Sequence, residues 1–185
     1  MKKVVIAGAV LAVGLLVYAF TIPKAVVSDT TADGDEIKWY SWDEAVALSA
    51  KKPKKMFIDV YTEWCGWCKK MDASTFKDKD VVAYINKNFY PVKFDAEQKE
   101  DIKYKEHTLK FQASAGRRGV HELAVALLDG RLSYPSYVYL DENQDRITIS
   151  PGYKEAPAIL KELQFIGGEF YKTTTYEQFL QSGGK

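Results

Sequence analysis

Sulfur and imidazole are scarce in this chain: its 185 residues include two cysteines and two histidines. A structural zinc site takes about four soft ligands at set spacing. Cys65 and Cys68 supply half of one, and His107 and His121 are not spaced as a ligand pair, so a metal centre is set aside. An excess of either charge is also missing, since the formal net charge is +1. That argues against a nucleic-acid protein, which carries a concentrated basic face. The run Lys51, Lys52, Lys54 and Lys55 around Pro53 reads as a solvated turn. There is no glycine fingerprint for a dinucleotide, so no flavin or nicotinamide cofactor is implied. No internal repeat or low-complexity tract occurs, which excludes a solenoid.

What is present describes one globular core with a separate start. Hydrophobic residues make up 46% of the chain and aromatics 14%, enough for a single substantial core. Met1-Lys2-Lys3 is basic, and Val4 to Phe20 is an uncharged apolar stretch without polar positions at helical period. Residues 1–27 therefore read as a signal peptide or an N-terminal membrane anchor, and 28–36 as a polar linker. With the lysines held inside, the remainder, residues 37–185, is expected outside the cytoplasm. A periplasmic domain is expected, soluble after cleavage or tethered to the inner membrane. Keeping only two thiols, close together, suits an oxidising space, because no stray cysteine is left to mispair.

Those two thiols stand in Cys65-Gly66-Trp67-Cys68. Two intervening residues let both sulfurs lie on one helical turn, where a disulfide can open and close with little backbone movement. Lys54 to Tyr61 is apolar and strand-like, Thr62-Glu63-Trp64 is a short connection, and Cys65 opens a helix. The helix N-terminus favours a thiolate over a thiol, which makes Cys65, at an exposed tip, the expected nucleophile. Cys68, one turn in, is the expected resolving thiol.

The segment Ile58-Asp59-Val60-Tyr61-Thr62-Glu63-Trp64-Cys65-Gly66-Trp67-Cys68-Lys69 resembles the active-site segment of the thioredoxin superfamily, in the form W-C-G-W-C-K carried by divergent members of bacterial envelopes. Pro91-Val92-Lys93-Phe94-Asp95 and Tyr134-Pro135-Ser136-Tyr137-Val138-Tyr139-Leu140-Asp141 resemble two further core strands of that family, and the likeness spans about residues 37 to 168. It implies a thioredoxin-like α/β fold: a central mixed sheet flanked by helices, here with an inserted hairpin segment at about 96–119 and an extra C-terminal helix. It implies a buried Asp59 with a raised pKa, able to take the Cys68 proton. Lys93 is expected to tune that acid, and Pro135 to be cis, turning the Tyr134 backbone toward the cysteines for an extended substrate to pair with. Trp64, Gly66, Trp67, Tyr134 and Pro135 form the expected substrate surface. Trp67 departs from the proline of thioredoxin itself.

The activity so implied is a thiol-disulfide oxidoreductase acting on disulfide-containing proteins. Gly66-Trp67 adds no positive charge or histidine to the thiolate, so strong oxidising power is not expected and a reductant is favoured. An oxidase or isomerase, or a non-enzymatic binding module, are the alternatives. An exported reductant also implies a membrane electron donor.

Elsewhere the pattern alternates between strand and helix. A strand is expected over Ile37–Tyr40, then a helix from the capping box Ser41 to Glu44 as far as about Ala50. Asp78 or Asp80 caps the next helix, and Phe89–Phe94 returns as a strand. A hairpin is expected over Ile102–Phe111, a turn at Gly116-Arg117-Arg118-Gly119 and a helix over Val120–Leu128. Ile147–Ile149 is the last strand, followed by helices over Ala156–Ile166 and Tyr176–Leu180. His107 and His121 read as ordinary surface residues; Arg117 and Arg118 could contact a partner, and a turn flanked by two glycines explains them as well.

Overall fold

The computed structural model describes residues 34 and 36–184. The expected leader or anchor lies outside the described residues, as does most of the linker. Among those described, no helix is long and apolar enough to cross a membrane.

Helix α1 (Trp42–Lys51) starts where the sequence signals it: Ser41 accepts the Glu44 N–H, and Glu44 Oε2 accepts the Ser41 N–H at 2.8 Å. Strand β1 (Met56–Tyr61) follows, then α2 (Gly66–Ala73), a short 3-10 turn, and α3 (Lys79–Asn88). Asp78, not Asp80, caps α3 by accepting from Asp80 and Val81. Strand β2 (Tyr90–Asp95) is followed by four short strands: β3 (Ile102–Tyr104), β4 (His107–Leu109), β5 (Phe111–Gln112) and β6 (Val120–His121). Helix α4 (Glu122–Leu127), β7 (Ser136–Leu140), β8 (Arg146–Pro151), α5 (Ala156–Gly167) and α6 (Tyr176–Gln181) complete the chain.

The central sheet has four strands in the order β2-β1-β7-β8, with β1 and β2 parallel and the other pairs antiparallel. It is the mixed sheet with flanking helices that the sequence implied. Because side chains alternate along a strand, β1 divides its load. Met56, Ile58 and Val60 pack with Trp42 and Ala45 of α1 and Leu123 of α4. Phe57 faces the opposite way, into a cluster with Met71 of α2, Val82 and Ile85 of α3 and Leu163 of α5. Asp59, two residues from Phe57, shares that second face. Burying a Leu, Ile or Phe side chain stabilises by ~1.5–3 kcal/mol, so both faces of β1 contribute to the core.

Four local expectations are corrected. Ile37–Tyr40 is not a strand: Trp39 N–H turns back to the Ile37 carbonyl at 3.0 Å, and only Tyr40 bridges to Val92. The capping box takes the chain into a helix before a strand can extend. The helix expected from Val120 begins at Glu122, because Val120 and His121 pair with β5. His121 is fully buried rather than on the surface. The lysine run is not wholly solvated either, since Lys55 is 5% exposed and holds Glu142 and Glu169, each at 2.7 Å.

The inserted segment does contain its hairpin, β3 with β4, and it is anchored. Trp42 Nε1 donates to the Lys103 carbonyl at 3.1 Å, and the Trp42 ring meets Tyr104 edge-on at 5.3 Å.

Candidate active site

Cys65 is the N-cap of α2, with β-type φ and ψ of -73° and 101°. This places its sulfur at the open end of the helix, where the first N–H groups have no intrahelical acceptor. The Cys68 N–H donates to Cys65 Sγ at 3.1 Å. No acid occupies the first turn of α2 to oppose a negative sulfur. The two cysteines are joined by a disulfide, with an S–S distance of 2.03 Å and Cα atoms 5.3 Å apart. Cys65 is only 4% exposed, less open than an exposed tip implies. The open surface belongs to Trp64 and Trp67, 52% and 56% exposed.

Asp59 is 1% exposed, on the β1 face covered by α2. Parallel pairing sets Asp59 directly beside Lys93 of β2. Lys93 Nζ donates to Asp59 Oδ2 at 2.6 Å and also to Asp72 Oδ1, on the second turn of α2. The second oxygen, Asp59 Oδ1, has no hydrogen-bond partner among the described residues. Burial pushes the Asp59 carboxyl up to about 6 although Lys93 pulls it down. Burial acts on Lys93 in the opposite direction, but Asp59 and Asp72 hold the ammonium above its ordinary value. Asp59 thus titrates close to neutrality, the range in which a proton acceptor is effective.

The Tyr134–Pro135 peptide is cis, and Gly152 N–H donates to the Pro135 carbonyl at 2.8 Å. Tyr134 meets Trp64 edge-on at 5.9 Å, and Trp64 Nε1 donates to Glu97 at 2.8 Å. On the other side Trp67 packs on Tyr153 at 5.1 Å, with Lys70 Nζ over both rings at 5.0 and 4.8 Å. Gly66 has a negative φ and open space where a Cβ would stand. Neither conformation nor packing demands glycine there.

Cys65, Cys68, Trp64, Gly66 and Trp67 are thus gathered around the start of α2, with Tyr134 against Trp64, Pro135 following Tyr134 across the cis bond, and Asp59 and Lys93 on the α2-covered face. Sequence reading missed three residues of this neighbourhood. Asp72 carried a signal, standing one helical turn after Cys68. Tyr153 and Glu97 carried none, because both are distant in sequence from what they touch.

The model of the family described as Thioredox_DsbH, protein of unknown function, DUF255, matches residues 30–164. Among curated proteins, spermatogenesis-associated protein 20 of Rattus norvegicus is 31% identical over 67 residues, covering 36% of this chain and 8% of that protein. An uncharacterized protein of Archaeoglobus fulgidus is 36% identical over 58 residues, covering 31% of this chain and 46% of that one. The chain therefore spans only a small part of the first relative and under half of the second. A solved putative disulphide-isomerase from Bacteroides thetaiotaomicron is 26% identical with a TM-score of 0.51, covering 75% of this chain and 96% of its own. A DsbH oxidoreductase (18% identical, TM-score 0.51, coverage 77% and 89%) shares the fold. So does a thioredoxin from Thermus thermophilus (18% identical, TM-score 0.54, coverage 71% and 87%).

Proposed function

The chain belongs to the thioredoxin-fold family described as Thioredox_DsbH, and on that premise we propose that it is a thiol-disulfide oxidoreductase reducing disulfides in exported proteins through Cys65 and Cys68. The observation that carries this reading is the position of Cys65 Sγ at the α2 N-terminus, accepting the Cys68 N–H.

In the reduced protein the Cys65 thiolate attacks one sulfur of a substrate disulfide. A mixed disulfide forms and the first substrate thiolate leaves, to be protonated by solvent. Cys68 then gives its proton to Asp59, directly or through water, and its thiolate attacks Cys65 Sγ. The Cys65–Cys68 disulfide closes and the second substrate sulfur departs as a thiolate, which takes up a proton from Asp59 or solvent. Two electrons have passed from the dithiol to the substrate, and a membrane electron donor restores them. Lys93 keeps its charge beside Asp59 and sets how readily the carboxyl accepts the proton. Trp64, Gly66, Trp67, Tyr134 and Pro135 present the surface on which the client chain lies.

Export follows from the basic and apolar start of the sequence, with residues 1–27 acting as signal or tether. Net isomerisation is the second reading, favoured by the exposed Trp64 and Trp67 that suit unfolded chains. Equilibrating the protein with a graded glutathione series separates the readings. A potential near the thioredoxin value, about -270 mV, is expected for a reductant, and one near the isomerase value, about -180 mV, or more oxidising overturns it.

A further inference from the structure

A groove of about 860 Å³ opens beside Trp64, the residue before Cys65. Trp64, Tyr134, Val125 and Leu132 line it. Trp64, Val125 and Leu132 are among the few large apolar side chains left exposed, at 52%, 38% and 43%. Soluble proteins seldom leave such residues together without a use for them.

The remaining wall is the turn Gly116-Arg117-Arg118-Gly119 of the inserted segment. The guanidinium of Arg118 lies 5.9 Å from the Trp64 ring. Among the described residues neither Arg117 nor Arg118 has an ion-pair partner, whereas Arg146 is held by Asp129. The single carboxylate on the groove wall, Glu97, is occupied by the Trp64 indole.

The turn is also held in place. Gly119 has φ +80°, and a Cβ there would stand 2.2 Å from the Phe111 ring. The Lys99 ammonium covers the same ring at 3.0 Å. Next to the turn, His121 is locked by three contacts. Its N–H donates to the Ala96 carbonyl at 2.7 Å, Nδ1 accepts the Leu123 N–H at 3.0 Å, and Nε2 meets the Glu100 carbonyl at 3.0 Å. A platform fixed in advance loses little entropy when it binds.

We propose that this groove docks an extended segment of the client protein in which an apolar residue and one or more carboxylates lie near the reactive cysteine. The apolar residue packs on Val125 and Leu132, and the carboxylates are read by Arg117 and Arg118, which can each form paired hydrogen bonds to them. The inserted segment thereby selects clients for the reaction proposed above, and the inference rests on that reading for its meaning, though not for its test.

The test measures binding apart from chemistry. A labelled peptide of about ten residues, with serine for the reactive cysteine and Leu and Glu on both flanks, spans roughly 33 Å when extended, enough to leave the disulfide and enter the groove. Fluorescence anisotropy with the full-length oxidised chain is expected to show it binding about ten-fold more tightly than its Glu→Gln counterpart at low salt. In R117E/R118E the preference is expected to vanish. Equal affinity for the two peptides, an unchanged preference in the variant, or a dimer of this chain that R117E/R118E dissociates, would each overturn the proposal. Reduction of a neutral small disulfide is followed in parallel. If wild type fails there while the binding preference stands, the oxidoreductase reading falls and the docking site does not.

Discussion

Lys93 Nζ lies 2.6 Å from Asp59 Oδ2 and donates at the same time to Asp72. One ammonium therefore sits between a buried carboxyl and one that reaches solvent. The pair fails to hold Asp59 in the ordinary carboxylate range: burial carries it from 3.8 to about 6. An acid whose folded pKa is raised favours the folded state while protonated. That contribution is complete below its unfolded value, declines as pH rises through about 6, and is gone above it. The shift from 3.8 to about 6 corresponds to about 3 kcal/mol. Asp59→Asn is therefore expected to stabilise the oxidised protein by about that amount at pH 8 and to have no effect near pH 4. Denaturant unfolding at the two pH values checks this, and a variant less stable at pH 8 contradicts it.

The same substitution is expected to injure the reaction. If Asp59 takes the Cys68 proton, Asp59→Asn leaves the first attack by Cys65 unchanged and slows closure of the internal disulfide. General-base catalysis contributes about 10²- to 10⁴-fold, so a loss of that order is expected in single-turnover release of the mixed disulfide. Unchanged release would make Asp59 purely structural.

Local signals in the sequence were legible because both partners lie within a turn of each other. The Ser41–Glu44 box and the Asp78 cap belong to this kind. The alternation of strand and helix and the mixed sheet followed from the patterns and from the likeness around Cys65. Pairings across the fold were not legible. Lys55 looks like one more surface lysine until Glu142 and Glu169, far along the chain, close on it. His121 looked polar and exposed because nothing nearby in sequence announces that the Ala96 and Glu100 carbonyls converge on it. The Trp67–Tyr153 contact likewise exists only once the segment after β8 has returned to α2.

His121 makes the inserted segment sensitive to acid. Nδ1 accepts the Leu123 N–H, so in the neutral ring Nε2 carries the proton and donates to the Glu100 carbonyl. Burial holds its pKa below the usual 6.5, although the Glu100 carbonyl and the carboxylates of Glu122, Asp101 and Glu100 pull the other way. A base with a depressed folded pKa stabilises above its unfolded value and loses that stability as pH falls through the folded one. His121→Ala should cost about 2 kcal/mol at pH 8, from the lost cap and hydrogen bonds. Below pH 6 the gap between variant and wild type should narrow, while His121→Asn, which can still cap α4, should recover part of the loss. A constant gap across that range would show that burial does not lower the pKa of the ring in the folded protein.

The thiols themselves provide a direct comparison. In the reduced protein the α2 terminus and the Cys68 N–H favour a thiolate at Cys65, while Cys68, 2% exposed, has no such advantage. Cys65 is expected to react with iodoacetamide at least about ten-fold faster than Cys68 at pH 7, read by mass spectrometry of each modified peptide. Cys68→Ala should then trap client proteins on Cys65 as stable mixed disulfides, and Cys65→Ala should trap none. Faster modification of Cys68 would reverse the two roles.

The apolar start of the chain is expected to place the domain without helping to fold it. Among the described residues Ile37 is the first to enter the core, in a cluster with Phe57 and Phe76. Upstream of it the described structure adds an exposed ion pair, Glu36 with Lys77 at 2.6 Å, and a hydrogen bond from Asn86 Nδ2 to the Glu36 carbonyl at 2.9 Å. Exposed pairs of this kind contribute ~0–1 kcal/mol. Removing residues 1–36 should therefore leave a soluble protein whose unfolding free energy changes by no more than about 2 kcal/mol and whose disulfide exchange with glutathione is unchanged. In cells, a reporter enzyme active only outside the cytoplasm and fused after Lys185 should work with the intact start and fail without it. Loss of fold on truncation would assign the segment to the domain, and reporter activity that survives the deletion would refute its role in export.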